Sequence, residues 1–487
     1  MGSLLYASLM AWVGMVVLST RIAMPTSSVL PWTLGVAVTI GAAVLLWLWA
    51  DQIHEVTQAA IRSAAHISNS RWILVTIGLG LVLRILWAMA FSTAPVSDGA
   101  TYIQLARRLL AGEDYSVAST RAYWPPGYPI YLAPWLWLFD SQRIAIFTSN
   151  IVLYLLGASG VYALGVRMMS AEGARLALLL FAVWPNIIFQ AGIPEKEQAL
   201  IALMPWVLAL WQGPRSADGT APGWHAIFCG VALGAAMLVQ PAVQLLIVVL
   251  FVCALVATKD LRRTLLALAC ATLGIVLVVG PWTWRNLQVF DHFVLISTNG
   301  GPVLFGANNP NATGGYLPIE FWPDDLLAMP ELEADREGKR RAFSWITANP
   351  GEFARLAIEK NVRFMGDDAA GSYTTLNRNP SKPGGPIYAV FKGISNLFWL
   401  GVWSLIGCAI VRRCQLRQWL LPVQWVVPAA FLYSFALHSV VESAGKYHVL
   451  WTGVLCVLLP MLVINESMQN VRLGKPRPKS NPESRLP

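Results

Sequence analysis

Residues 72–91 read WILVTIGLGLVLRILWAMAF, a run of apolar side chains that contains one charged residue, Arg84. A helix of about 20 apolar residues is long enough to cross the roughly 30 Å hydrocarbon core of a bilayer. Similar runs recur along a chain of 487 residues, of which 56% are hydrophobic and 13% are charged. Because soluble domains carry about 25% charged residues, this composition excludes a soluble enzyme.

The other apolar runs are each about as long as a membrane-spanning helix. They are Leu4–Thr20, Leu30–Ala50, Ile144–Val166, Leu176–Gln190, Ala199–Trp211, Ala226–Val239, Ala242–Ala257, Leu265–Trp284, Val390–Val411, Trp419–Val440 and Val449–Ile464. We therefore predict an all-α polytopic membrane protein with about twelve transmembrane helices.

The positions of the basic residues predict which way these helices face. If the amino terminus is cytoplasmic, most Arg and Lys residues fall in inner segments, and the short outer turns hold only Arg21, Lys196 and Lys446. The net charge of +9 then reflects membrane topology rather than nucleic-acid binding. The six cysteines lie in apolar runs or beside an arginine cluster, so no disulfide framework or zinc site is predicted.

This orientation divides the chain into five parts and places two long hydrophilic segments outside. The parts are an additional amino-terminal hairpin with a cytoplasmic linker (1–70), a membrane core (71–283) that includes the first outer loop (92–143), a large outer loop (284–389), carboxy-terminal membrane helices (390–465) and a disordered basic tail (466–487). Within the large loop, residues 330–363 predict two helices that are broken near Asn349-Pro350 and form a lid.

The first outer loop begins with a short amphipathic helix. Residues 97–112 read SDGATYIQLARRLLAG, in which Ser97 can cap the helix and Gly112 can end it. Asp98 falls in the first turn, where the helix dipole favours the ionised carboxylate, and Tyr102 follows one turn later on the same side. Asp98 is therefore either a helix cap or a carboxylate that accepts a proton from a hydroxyl at the membrane edge.

Three features occur in a set order: Arg84 inside a span, then Asp98-x-x-x-Tyr102, then residues 123–129, which read YWPPGYP. In this order they resemble the GT-C glycosyltransferases, most closely the bacterial branch related to protein O-mannosyltransferases and the aminoarabinose transferase of lipid A. The resemblance extends from about residue 72 to residue 464. Later stretches agree with it, namely an acidic outer turn at 194–197 (PEKE), an Asn/Gly-rich stretch at 299–316 and residues 442–448 (ESAGKYH).

This resemblance implies an inverting glycosyltransferase that moves a sugar from a polyprenyl phosphate, such as undecaprenyl phosphate, to a periplasmic acceptor in the cell envelope. It also implies a multi-pass protein of the bacterial inner (plasma) membrane whose active site faces the periplasm, with Asp98 as the general base. The chain shows no phosphate-binding loop, dinucleotide fingerprint or Asp-x-Asp motif, which is compatible with a lipid-phosphate donor. We predict no cofactor, since no His or Cys cluster supports a divalent metal.

Outer cations near span ends are candidates for binding the donor phosphate, and each is equally well explained as a headgroup anchor. These cations are Lys446, Arg285, Arg121 and Lys196. The candidate substrate-binding residues are Tyr102, Tyr123, Glu195, Asn308, Asn309, Glu442, Tyr447 and His448. The alternatives are a solvated turn at 194–197, an intrahelical pair between Glu442 and Lys446, and a structural role for His448.

The span count alone also fits a transporter or flippase for a lipid-linked sugar. A transporter is expected to carry charged residues at mid-membrane positions and to contain an internal repeat. In this sequence Arg84 is the only charge well inside an apolar run, and no repeat appears. A noncatalytic assembly partner of a polysaccharide machine is the third interpretation.

Overall fold

The computed structural model describes residues 52, 55, 68–213, 223–378 and 385–464. Over these residues the chain is helical, and its one β-type pairing is an isolated bridge between Val117 and Thr120. The predicted all-α class is thereby confirmed for the described part. The predicted spans Leu4–Thr20 and Leu30–Ala50 and the predicted tail (466–487) lie outside the described residues.

The described residues form seventeen α-helices of five or more residues. In chain order they are α1 (Asn69–Ala90), α2 (Asp98–Leu110), α3 (Gly127–Leu138), α4 (Gln142–Met168), α5 (Ala171–Val183), α6 (Pro185–Phe189), α7 (Glu197–Gln212), α8 (Gly223–Val239), α9 (Leu246–Thr258), α10 (Leu261–Phe290), α11 (Gly300–Ala307), α12 (Asp324–Ala328), α13 (Glu331–Ala348), α14 (Pro350–Met365), α15 (Gly385–Gln415), α16 (Val426–His438) and α17 (Thr452–Val463). Shorter helical turns lie at Pro241–Val243, Ile319–Phe321, Ala370–Ser372, Tyr373–Asn377, Pro422–Trp425, Gly445–Tyr447 and Val449–Trp451.

Six helical segments of the described residues are long and apolar enough to cross a membrane. They are Asn69–Ala90, Gln142–Met168, Pro241–Thr258, Leu261–Phe290, Gly385–Gln415 and Gly445–Val463. Four further predicted spans correspond to α5, α7, α8 and α16, which have 13, 16, 17 and 13 residues. α5 is short because Trp184 precedes a proline and takes an extended conformation that ends the helix. The count of about twelve transmembrane helices stays a prediction.

The last span forms the centre of the bundle. In the segment Gly445–Val463, 83% of the apolar window is buried, compared with 17% in Pro241–Thr258 and 22% in Leu261–Phe290. The outer helices expose apolar side chains, such as Val252 and Leu277, as expected of helices that face lipid. The beginning of the central span therefore lies on the axis of the bundle, where it can meet several other elements.

The two predicted outer loops contact each other. The Thr298 amide donates a hydrogen bond to the Ala122 carbonyl at 3.1 Å, and the Glu331 carboxylate accepts from the Ala122 amide at 2.9 Å. Both loops therefore lie on one side of the bundle, and the assignment of that side to the outside stays a prediction. The two predicted helices of residues 330–363 are confirmed as α13 and α14, which meet at Asn349 and Pro350.

Candidate active site

Helix α2 brings Asp98 to the turn before α7. Its inward face carries Tyr102, Leu105 and Ala106, all buried, and Gly112 ends the helix region with a φ of +69°, as predicted for that glycine. At the other end, a Cβ on Gly99 would lie 2.9 Å from Cγ of Pro194. This close approach places the first turn of α2 directly against the acidic stretch that follows Pro194.

The predicted cap of α2 is wrong. Ser97 has a φ of +51° and makes no capping hydrogen bond, because its hydroxyl donates to Oδ1 of Asp98 at 3.4 Å. Asp98 in turn does not cap the helix. Among the described residues, its carboxylate has Ser97 and Lys446 as its hydrogen-bond and ionic partners.

Asp98 and Lys446 face each other across the end of the bundle. Nζ of Lys446 lies 3.8 Å from Oδ2 of Asp98, and the two side chains are 40% and 33% exposed. A pair this exposed contributes at most about 1 kcal/mol to stability. A substrate can therefore separate the two charges at little energetic cost.

The segment that carries Lys446 is held firmly from both sides. The Tyr447 hydroxyl donates to Oε1 of Glu442 at 3.0 Å, and a Cβ on Gly445 would lie 2.4 Å from the carbonyl oxygen of Asp367. The alternative interpretation, an intrahelical pair between Glu442 and Lys446, does not hold. Glu442 lies outside any helix, and Lys446, in the turn Gly445–Tyr447, reaches Asp98 instead. Lys446 is thus a partly exposed side chain on a backbone that neighbouring contacts hold in place.

A charged rim includes the Asp98–Lys446 pair. It consists of this pair together with Glu195, Lys196 and Glu197. Burial, together with the charge of the neighbouring Glu197, raises the pKa of Glu195 to about 8, although Lys446 opposes the shift. Burial lowers the pKa of Lys196, whose charged neighbours are Glu197, Lys446 and Asp98. At neutral pH Glu195 is therefore largely protonated and can donate a hydrogen bond.

The elevated pKa of Glu195 predicts a pH-dependent effect of Glu195→Gln on stability. Between about pH 4.5 and pH 8 the folded protein keeps a proton that the unfolded chain loses, so the contribution of Glu195 to stability falls as the pH rises through this window. Glutamine does not ionise, so the Glu195→Gln variant lacks this decrease in stability. We expect the melting temperature of the variant, relative to the unsubstituted protein, to be higher at about pH 9 than at about pH 5. An equal difference at both pH values would contradict the assignment.

Two buried phenols point toward the same charged rim. Tyr102 and Tyr128 are each 1% exposed, their rings meet edge to face at 5.3 Å, and their hydroxyls have no hydrogen-bond partner among the described residues. Burial raises the pKa of Tyr102 well above its usual value, and Asp98 raises it further. A buried hydroxyl without a partner is unfavourable, so each of these hydroxyls would gain from a polar partner that reaches it.

Tyr123 belongs to the same group of residues. It is half-buried, and burial together with the charges of Glu442 and Asp98 raises its pKa to about 12. The structure therefore brings together most of the predicted site. The members of this cluster are Asp98, Tyr102, Tyr123, Glu195, Lys196, Glu442, Lys446 and Tyr447.

The predicted phosphate ligands Arg285 and Arg121 lie at a different junction. The Arg285 guanidinium donates to the carbonyls of Arg121 at 2.9 Å and Tyr115 at 3.2 Å and lies over the Trp282 ring. The Arg121 amide donates to Glu331 at 2.6 Å, and the Arg121 side chain is exposed. These contacts tie the first outer loop to α10 and α13, and phosphate binding by either arginine stays a prediction.

Asn308 and Asn309 are fully buried in the large loop. The Asn308 amide donates to the Val440 carbonyl at 2.8 Å, and its oxygen accepts from Nζ of Lys360 at 2.8 Å. Asn309 bonds the carbonyls of Phe305 and Gly306. This placement favours a structural role, in which the asparagines join α11 to the chain before Glu442.

Sequence reasoning did not identify Lys360, and nothing in its local pattern marks it. Its side chain is fully buried and donates to Asn308 and to the Val440 carbonyl, and burial lowers its pKa to about 8.

His448 lies beneath the rim, fully buried, in a network that sequence reasoning also missed. Its Nδ1 bonds the Phe364 carbonyl, and its Nε2 lies 3.2 Å from Oδ1 of Asp368. Asp368 also accepts from Trp184 Nε1 at 2.8 Å and from the Asn186 amide. Since a carbonyl can only accept, Nδ1 of His448 is the donor in the bond to Phe364. This arrangement favours a structural role for His448.

Loss of the Asp368 carboxylate should strongly destabilise the protein. Asp368→Ala leaves His448, Trp184 and Asn186 without their shared acceptor, and breaking a buried pair in this way costs about 3 to 5 kcal/mol. Denaturant unfolding in mixed micelles measures the change. Glu352→Ala, which removes an exposed ion pair with Arg355, should cost about 1 kcal/mol or less. Equal losses in the two variants would show that the network is not important for stability.

No group of three or more His, Cys, Asp or Glu side chains in the described part of the chain is arranged to hold a metal ion.

Comparison with known proteins supports the resemblance over part of the chain. Residues 124–284 match the family model for dolichyl-phosphate-mannose-protein mannosyltransferase, so the predicted likeness to GT-C glycosyltransferases is confirmed for this segment. The match begins after Asp98 and ends before Lys446. No curated protein matches the chain significantly in sequence.

Three solved structures resemble the fold at low identity. ArnT from Cupriavidus metallidurans, bound to undecaprenyl phosphate, is 19% identical, with a TM-score of 0.42 over 83% of this chain and 79% of that protein. The oligosaccharyltransferase AglB from Archaeoglobus fulgidus, in complex with an inhibitory peptide and a dolichol-phosphate, is 12% identical with a TM-score of 0.45. The Archaeoglobus fulgidus oligosaccharyltransferase in its apo form is 12% identical with a TM-score of 0.46. The alignments to these two structures cover 82% of this chain and 50% of those chains.

Proposed function

We propose that this protein is an integral-membrane, inverting glycosyltransferase that moves a sugar from a polyprenyl phosphate to a hydroxyl or phosphate of an acceptor in the cell envelope. The observation that carries the proposal is the Asp98–Lys446 pair, in which a carboxylate and an ammonium group 3.8 Å apart are both accessible at the end of the bundle. The family match of residues 124–284 supports glycosyl transfer as the reaction class.

The donor phosphate first separates this pair. Its negative charge attracts the Lys446 ammonium, which binds phosphate as a point charge and leaves Asp98 free to accept a proton. The lysine side chain is flexible enough to move while its backbone stays fixed by Glu442 and Asp367. The ion pair of the empty site is thus replaced by one between lysine and phosphate.

Transfer then proceeds by a single displacement. The acceptor oxygen forms a bond to the anomeric carbon as its proton passes to Asp98, and the bond from that carbon to the phosphate oxygen breaks on the opposite face. The anomeric configuration is inverted. The polyprenyl phosphate leaves with the electron pair, and Lys446 stabilises the added negative charge on the phosphate.

The buried polar groups of the site bind the sugar. The Tyr102 and Tyr128 hydroxyls lack partners among the described residues, and protonated Glu195 adds another donor beside them. Hydrogen bonds from these groups would hold the sugar between base and cation, and such positioning lowers the barrier to reaction.

The active site faces the periplasm of a bacterial inner membrane in this proposal. Support comes from the positive-inside pattern of the sequence and from the contact between the two predicted outer loops. The acceptor is then a lipid, glycan or protein of the envelope that presents its hydroxyl or phosphate on that side.

The test is a transfer assay with the purified full chain in lipid nanodiscs. Radiolabelled sugars on undecaprenyl phosphate are supplied with an envelope extract as acceptor, and the same sugars on nucleotide diphosphates serve as the control. We expect label to appear in acceptor from the lipid donor alone. If the folded protein transfers from none of these lipid donors, or moves the intact lipid-linked sugar between leaflets instead, the proposal is wrong.

A further inference from the structure

A cavity lies along α2, from Pro95 and Ala100 near the start of the helix to Ala111 and Glu113 beyond its end. It has a volume of about 510 Å³, and the polar side chains that line it are Gln104, Arg107, Arg108, Glu113 and Gln142. Arg107 follows Asp98 by nine residues, which corresponds to about 13 Å along a helix. The part of the cavity that carries Arg107 and Arg108 is therefore distinct from the Asp98–Lys446 site, although one helix contributes to both.

The cavity carries available positive charge. Arg107 is exposed and donates from Nη2 to the neutral Gln142 at 2.7 Å, with no carboxylate partner among the described residues. Arg108 donates to the Asp114 carbonyl at 2.9 Å and lies 3.4 Å from the exposed carboxylate of Glu113. An exposed pair of this kind is weak, so both guanidinium groups can reorient toward an anion. Arginine binds phosphate through two parallel hydrogen bonds.

The cavity lies at the level where two membrane spans end. Gln142 is the first residue of the α4 span, and Nη2 of Arg143 donates to the carbonyl of Ala88, near the end of the α1 span. Arg107, Arg108 and Arg143 thus lie near the same membrane boundary, which the positive-inside pattern assigns to the outer side. Since that side normally carries few basic residues, topology does not explain this cluster.

We propose that the Arg107–Arg108 cavity binds the phosphate headgroup of an anionic membrane lipid. A headgroup lies at this depth, and its phosphate would give Arg107 and Arg108 charged acceptor oxygens in place of the neutral Gln142 oxygen and the weak pair with Glu113. The acyl chains would then extend beside the outer ends of α1 and α4. Bound lipid would fasten α2, and with it Asp98, to the membrane surface without entering the transfer site.

Native mass spectrometry of the detergent-purified full chain tests this proposal. The probes are dioleoylphosphatidylglycerol, which is anionic, and dioleoylphosphatidylcholine, which is zwitterionic. We expect the protein to retain the anionic lipid preferentially, and the variant with both Arg107→Gln and Arg108→Gln to lose that retention by about tenfold or more. Arg355→Gln, which removes an exposed arginine on α14, should retain lipid at the normal level.

Two further variants keep the test decisive if the double substitution disturbs folding. Gln104→Glu adds a negative charge at an exposed cavity position and should weaken retention while both arginines stay in place. Asp98→Asn should retain lipid normally, because the transfer site is separate. Equal retention of the two lipids, or normal retention in the arginine and Gln104 variants, would overturn the proposal.

Free inorganic phosphate would offer the two arginines the same acceptor oxygens as a lipid headgroup. Millimolar inorganic phosphate should leave retention of the anionic lipid unchanged if the cavity binds a lipid, since acyl contacts add to the headgroup contacts. Complete displacement of the lipid by inorganic phosphate would instead assign the cavity to a soluble phosphate and overturn the lipid assignment.

Discussion

Asp98→Asn is expected to reduce the rate of sugar transfer by about 10² to 10⁴, the contribution of a well-placed general base. Asparagine has nearly the shape of aspartate, but its amide cannot accept the acceptor's proton at neutral pH. Asp98 makes no capping bond in α2 and has only a weak, exposed pair with Lys446, so the substitution should leave the fold intact. Initial rates at saturating donor and acceptor measure the effect on kcat.

Asp140→Asn is the matched control, since Asp140 is an exposed carboxylate in the same outer loop. It should keep normal kcat and KM. A base role for Asp98 predicts that kcat falls while the donor KM changes little, because the proton moves only in the transition state. An Asp98→Asn variant with normal kcat and a raised KM would assign Asp98 to binding instead of proton transfer.

The fold could be predicted where a single local rule decides it. In α1, α4 and α10 a long apolar run must be helical, because a helix satisfies its own backbone hydrogen bonds in lipid. The break between α13 and α14 follows equally from Asn349-Pro350. Hydropathy does not show where the helix ends within residues 176–190. The apolar run continues through Pro185, but α5 ends before that proline.

The central position of the last span was not predictable in this way. Its burial depends on contacts with many other helices, and no single run of sequence contains that information.

The site could be predicted in part because its charged members stand out against an apolar chain. Asp98, Glu195 and Lys446 are unusual near span ends, and the structure brings them together although up to 348 residues separate them in sequence. Their mutual geometry depends on tertiary packing, such as Gly99 against Pro194.

Tertiary packing also explains what the sequence did not reveal. Asp368 looks like any loop aspartate until His448 and Trp184 are placed beside it. Ser97 matches a cap by residue type, but its positive φ prevents that role.

Lys446→Met should lower kcat by about 10² to 10³, the usual effect of removing one group that stabilises negative charge in a transition state. Methionine preserves the apolar stem and removes the charge that would meet the departing phosphate. The fold of the protein without substrate should be unchanged in this variant, since the Lys446 side chain is 40% exposed and its backbone is held by neighbouring contacts. Single-turnover rates with labelled lipid donor separate chemistry from product release.

A matched control and a conservative variant distinguish the phosphate role from general disturbance. Lys339→Met removes an exposed lysine on α13 that pairs with Asp335, and its transfer rate should be normal. Lys446→Arg keeps the positive charge and should recover part of the lost rate, but its planar group differs from an ammonium in shape. If Lys446→Arg is as inactive as Lys446→Met while Asp98→Asn retains activity, then size at position 446, not charge opposite a carboxylate, controls the reaction. The proposed roles of Asp98 as the base and Lys446 as the cation would then be wrong, because both charges are required in the same transfer reaction.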